Sequence, residues 1–176
     1  MAQFEVRNLK QTDFEALSRL EQEVFAAQGE AVLCPHYLRL CCEFFADTCL
    51  LVLADGEPVG YLLSFVRDRE VYCTTLAIAP AYQRTRAVAL VIRAFLGAIL
   101  DRVDSCWFTV EEKNFAARNL HRMLGAVDIE VRRDFYGPGD NRIVSRIDRA
   151  RFEVLREKYA RMGLVDRPSQ PAADAA

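Results

Sequence analysis

Residues 72–96, YCTTLAIAPAYQRTRAVALVIRAFL, constrain the fold more than any other part of the chain. Residues 72–79 are an apolar run rich in β-branched and aromatic side chains, with two threonines inside it, which is the composition of a largely buried strand. Pro80 removes a backbone donor and ends strand pairing. A polar turn with Gln83, Arg84, Thr85 and Arg86 follows, and from Ala87 a helix is expected. Its residues Val88, Val91, Ile92, Phe95 and Leu96 recur at helical spacing and give it one apolar face. The first amides of a helix lack internal partners, and its dipole favours negative charge there. A strand, a turn with two arginines and a helix start therefore predict a site for a phosphate-bearing ligand.

The flanking sequence alternates between strand and helix patterns. Phe4–Asn8 reads as a first strand, and Thr12 and Asp13 are placed to cap a helix striped by Phe14, Leu17, Leu20 and Phe25. Pro35 opens a second helix carrying Tyr37, Leu38, Cys41, Phe44 and Phe45. The run from Cys49 to Val66 reads as a hairpin around Asp55-Gly56, and a polar turn over 67–70 leads into the central strand. Beyond the long helix, expected to about Arg102, come a strand over Ser105–Glu111 and a short helix over Asn114–Leu124 ended by Gly125. Strands over Val127–Phe135 and Arg142–Ile147, then a helix over Ala150–Met162, complete the pattern.

This is enough chain for one domain, expected over 1–165, with a Pro/Ala/Ser-rich, disordered tail over 166–176. A net charge of −2 with interspersed signs speaks against binding nucleic acid or a membrane surface through bulk charge. No apolar run reaches the roughly 18 residues of a membrane span. The start, MAQFEVRN, has no signal-peptide core, so a cytoplasmic location is expected. Six cysteines form no CxxC pair, and the two histidines lie far apart. No metal site is expected, and the cysteines read as small buried hydrophobes in a reducing compartment.

The central stretch resembles the GNAT superfamily of acyl-CoA-dependent N-acetyltransferases. In that family a strand is followed by Pro, then Arg or Gln, two residues, Gly, one residue, and Gly or Ala. Pro80 and Gln83 fit, whereas Arg86 and Val88 stand where small residues are usual, and their Cβ atoms obstruct close approach to a pyrophosphate. A second stretch, VEEKNFAARNLHRMLGA, places Asn114, Ala116, Ala117, Leu120, Leu124 and Gly125 on further family positions. RRDFYGPGDN (132–141) is similar to ribosomal-protein acetyltransferases, and YLRLCCEFFADTCLLV (37–52) to diaminobutyrate acetyltransferases. The resemblance implies a mixed α/β (α+β) GNAT fold, with a central, mostly antiparallel twisted sheet of about seven strands flanked by helices.

It also implies acetyl-CoA as co-substrate, without a metal, and direct attack by a primary amine of a small molecule or protein N-terminus. The backbone of Leu76, Ala77 and Ile78 would pair with the pantetheine arm. The turn Gln83, Arg84, Thr85, Arg86, Ala87 and Val88 would take the pyrophosphate, and Asn114 would help to hold the arm. His121 stands where the family's tyrosine acid protonates the departing thiolate; its plain alternative is a helical histidine with no proton to move. Tyr72 and Thr109 stand where a glutamate base is found in relatives. Glu111, on the strand face of Thr109, is a candidate base or else a surface carboxylate. Tyr136 is a candidate substrate contact or proton donor, or an aromatic packed at a strand end. The competing reading is a catalytically inactive GNAT-fold binding or interaction module that has lost CoA binding. The assembly state stays open, a homodimer included.

Overall fold

The computed structural model describes residues 2–166. Its elements follow the order β1 (Phe4–Asn8), α1 (Phe14–Val24), α2 (Pro35–Glu43), β2 (Leu50–Ala54), β3 (Glu57–Arg67) and β4 (Glu70–Ile78). Then come α3 (Ala87–Ile99), β5 (Ser105–Glu111), α4 (Phe115–Met123), β6 (Val127–Arg132), β7 (Arg142–Asp148) and α5 (Arg149–Arg161). The seven strands form one sheet in the order β1-β2-β3-β4-β5-β7-β6. Only β4 and β5 are parallel neighbours, as strands joined by a helical crossover must be.

The local signals that specify these elements act as their chemistry dictates. Asp55 and Gly56 both take positive φ, 51° and 87°, which matches the right-handed twist of the β2–β3 hairpin. Pro35 sits in the first turn of α2, and Gly125 (φ 85°) stops α4. Asp13 is a correction. Its carboxylate accepts from the Lys10 amide at 2.7 Å and pairs with Arg7 at 2.7 Å, so it serves the 3-10 turn before α1 and β1 rather than capping α1. The strand expected to reach Phe135 ends at Arg132, because Asp134 turns the chain with φ 51°. The expected tail falls, apart from Asp166, outside the described residues.

The sheet buries a different core on each face. One core joins β-strand residues such as Leu62, Val71, Ile78, Cys106, Phe108 and Ile147 to α3 and α5 through Val91, Phe95, Ile99, Phe152 and Tyr159. The other joins Leu51, Tyr61, Leu63, Ala77 and Ala79 to α1 and α2 through Leu17, Leu20, Leu38 and Cys41. The cysteines are free thiols. Cys41, Cys42, Cys49 and Cys106 are buried and Cys73 is half-buried, but Cys34, just before α2, is exposed and departs from the buried role expected of it. Among the described residues no helix is long and apolar enough to cross a membrane, and no cluster of His, Cys, Asp or Glu could hold a metal ion.

Candidate active site

Strands β4 and β5 pair over only four rungs, from Glu70–Ser105 to Cys73–Phe108. Both then continue, β4 to Ile78 and β5 to Glu111, so they diverge into a fork. The fork opens at an irregularity in β4. Its register with β3 passes from Leu63–Thr75 to Ser64–Cys73, leaving Thr74 as an extra, bulged residue. A bulge bends its strand and increases the local twist, which turns β4 away from β5. Leu76, Ala77 and Ile78 lie on the diverging arm, paired to β3 on one side. Among the described residues no strand pairs with their other side.

That arm is not wholly free. The Ala79 amide donates to Val59 of β3 at 2.8 Å, so the Ile78 carbonyl of the same trans peptide points the opposite way, into the fork. There it accepts from the Gln83 side-chain amide at 3.1 Å. Gln83 thus closes the end of the arm.

The turn before α3 is also internally bonded. Thr85 donates its hydroxyl to the Tyr82 carbonyl at 2.7 Å and accepts from the Ala87 amide at 3.2 Å, capping one of the helix-start donors. Arg86 lies 5.7 Å over the Phe4 ring, while Arg84 is exposed and makes no ion pair among the described residues. Val88 packs its branched side chain against the α3-side core. Asn114 stands at the start of α4, with its side-chain oxygen accepting from the Ala117 amide at 3.0 Å.

His121 and the candidate base lie on opposite faces of the sheet. Phe108 belongs to the α3-side core, and His121 stacks on it with ring centroids 4.3 Å apart. Its Nδ1 lies 3.4 Å from Ser145 Oγ. Burial lowers its pKa from 6.5 to about 4 against a smaller opposing pull from Asp128, so the ring is neutral at pH 7. Thr109, next along β5, must face the other way. It meets Tyr72 there, their side-chain oxygens 2.6 Å apart, and Tyr136 lies 3.1 Å from the same Tyr72 oxygen.

Glu111 shares the Thr109 face, but its carboxylate is engaged by Lys113 at 3.1 Å and Arg142 at 3.4 Å. Arg142 also lies 5.1 Å from the centre of the Tyr136 ring. On the α2 side, Tyr37 bonds the bulged Thr74 at 2.6 Å, and Thr74 donates onward to the Leu63 carbonyl at 3.2 Å. Tyr37 therefore gives its proton to Thr74. Burial raises the pKa of both Tyr37 and Tyr72 well above the usual phenol range.

Of the catalytic candidates read from sequence, the structure brings Tyr136 onto Tyr72, ties Glu111 to two cations, and sets His121 against Phe108 on the other face of the sheet. It adds Tyr37 and Thr74, which sequence reasoning missed. Two threonines inside an apolar strand were the available signal, since a buried hydroxyl demands a partner.

No curated protein matches the chain significantly. Solved structures do share its fold. Ard1 from Thermoplasma volcanium aligns with a TM-score of 0.72 at 18% identity, covering 82% of this chain and 97% of that one. The ribosomal-protein-S18-alanine N-acetyltransferase from Escherichia coli gives 0.68 at 19% identity, over 83% and 94%. Diaminobutyrate acetyltransferase EctA from Paenibacillus lautus, solved with L-2,4-diaminobutyric acid and coenzyme A, gives 0.68 at 17%, over 82% and 95%. The sequence model of the acetyltransferase (GNAT) family matches residues 6–126, more than half of the chain. With its seven-stranded mixed sheet and forked β4–β5 pair, the chain belongs to the GNAT acetyltransferase family.

Proposed function

We propose that this protein transfers an acetyl or other acyl group from acyl-CoA to the primary amine of a small molecule or peptide. The observation that carries this reading is the fork beyond Cys73–Phe108, opened by the Thr74 bulge. An extended amide-containing arm can join the unpaired side of Thr74–Ala77 as an added strand, and the fork places its end beside the Tyr72 and Thr109 hydroxyls. The residues fit a CoA arm along the strand better than at the turn. With the Ala87 amide capped by Thr85, the phosphates depend on Arg84, Arg86 and the remaining helix-start amides.

When bound, acyl-CoA supplies an activated thioester. The chain's own groups supply orientation and a path for protons, which are main needs of direct amine attack. His121 is held neutral, so it does not supply an imidazolium acid at pH 7. EctA and the spermidine N-acetyltransferase SpeG from Vibrio cholerae, another structural neighbour, support an amine acceptor by analogy of fold.

The second reading, a GNAT fold that no longer takes CoA, is favoured by one specific contact, the Thr85 hydroxyl on the Ala87 amide. Calorimetric titration with acetyl-CoA separates the two. Saturable heat supports the transferase, and its absence at millimolar ligand supports the second reading.

A further inference from the structure

We propose that Tyr72 is the acceptor-side catalytic residue, and that its hydroxyl passes the attacking amine's proton to Tyr136 and thence to water. This deepens the acyl-transfer reading and rests on it.

The acids near the fork are already committed. Glu111 is held by Lys113 at 3.1 Å and Arg142 at 3.4 Å. Glu70 accepts from Arg146 and from Ser105, each at 2.9 Å. Tyr72 instead lies at the base of the fork, one residue before the last β4–β5 rung, and reaches diagonally to Thr109, one residue past it.

A phenol has one proton and two acceptor positions. If Thr109 donates to Tyr72 and Tyr72 donates to Tyr136, one acceptor position remains on Tyr72 for an amine N–H. Thr109 has no other side-chain partner among the described residues, so its proton is available for this bond. Tyr136 is 64% exposed, so its own proton has direct access to solvent.

Tyr136 is also held in place. Its loop is braced by Phe135 N–H to the Asp140 carbonyl and by Gly139 N–H to Asp134 Oδ1, both at 2.7 Å. Phe135 packs edge-on against the Tyr136 ring at 4.7 Å, and Arg142 lies over that ring.

Burial makes Tyr72 a poor phenolate, so it cannot act as a stored base. A relay avoids that difficulty, because Tyr72 gains one proton as it releases another. In the step proposed, the amine lone pair forms the C–N bond while the carbonyl π pair moves to oxygen. The nitrogen gives a proton to the Tyr72 oxygen, Tyr72 gives its own to the Tyr136 oxygen, and Tyr136 gives its own to water. Re-formation of the carbonyl breaks the C–S bond, and the thiolate leaves with the bonding pair and takes a proton from solvent.

The first test needs neither ligand nor activity. By proton NMR of the free protein, Tyr136→Phe should slow exchange of the Tyr72 hydroxyl proton with water at least ~10-fold. The second uses acetyl-CoA and methylamine. Tyr72→Phe should lower kcat at least ~10-fold while leaving the calorimetric Kd for acetyl-CoA within about twofold. Unchanged exchange in Tyr136→Phe overturns the relay. So does full kcat in Tyr72→Phe, or loss of acetyl-CoA binding in that variant, which would make Tyr72 a support of the fork. A wild-type protein giving no heat with acetyl-CoA contradicts the transferase reading instead, and the exchange result then decides the proton route alone.

Discussion

Tyr72 and Thr109 clasp the base of the β4–β5 fork, their side-chain oxygens 2.6 Å apart on either side of the last paired rung. The bond spans two strands at the point where their backbone pairing stops. It replaces, with side chains, the next rung that the bulge at Thr74 removes. Thr109→Val keeps the shape and deletes the hydroxyl. It should cost about 0.5–1.5 kcal/mol in denaturant unfolding with an unchanged m value. A change near zero would mean that the clasp does not hold the fork.

His121 gives a pH signature. Its folded pKa of about 4 lies below the unfolded 6.5, so the unfolded chain binds the proton more readily between those values. The His121 contribution is therefore intact above pH 6.5 and is lost as pH falls toward 4. For a fully buried ring this shift corresponds to about 3 kcal/mol, which partial exposure reduces to roughly 1–2 kcal/mol. In urea unfolding from pH 7 to pH 4.5, His121→Phe should lose less stability than wild type. Parallel curves would show that the ring titrates normally.

Glu21 is the most consequential buried acid away from the fork. It is 1% exposed on α1, where its carboxylate accepts from the Tyr61 hydroxyl of β3 and from the Leu33 amide, the latter at 2.8 Å. Removing one donor leaves an oxygen of this buried side chain without its partner. Tyr61→Phe should therefore destabilise by about 2–3 kcal/mol, more than a neutral hydrogen bond is worth. Thermal unfolding decides this, and a loss under about 0.5 kcal/mol would show that another donor replaces the Tyr61 hydroxyl.

Glu111 separates the carboxylate mechanism from the hydroxyl one. With Lys113 and Arg142 on its carboxylate, Glu111→Gln should lower kcat with methylamine by less than Tyr72→Phe does. A fall of ~100-fold or more in Glu111→Gln alone would restore it as the base.

Patterns within one segment made the fold legible. The apolar run ending at Pro80, the Asp55-Gly56 turn and Gly125 act where the chain places them, since each depends on neighbours a few residues away. Glu111 and Thr109 do share a strand face, as period-two alternation requires. What occupies the Glu111 carboxylate comes from the register that sets Arg142 opposite it on β7, and no local pattern carries that information. The Thr74 bulge and the meeting of Tyr72 with Tyr136, 64 residues apart, are likewise products of strand pairing. Val88, in the first turn of α3, packs its side chain on the core. The internal cap of the Ala87 amide by Thr85 became visible only with the turn's backbone in hand.

Calorimetry with acetyl-CoA tests directly whether the fork receives acyl-CoA. Saturable heat is expected from wild type, with a Kd below about 1 mM. Binding at least ~10-fold weaker is expected in Arg84→Ala with Arg86→Ala, which removes the charge-assisted contacts proposed for the phosphates. A folded wild-type protein giving no heat at millimolar acetyl-CoA, or arginine variants that bind as wild type does, would contradict acyl-CoA binding in the fork.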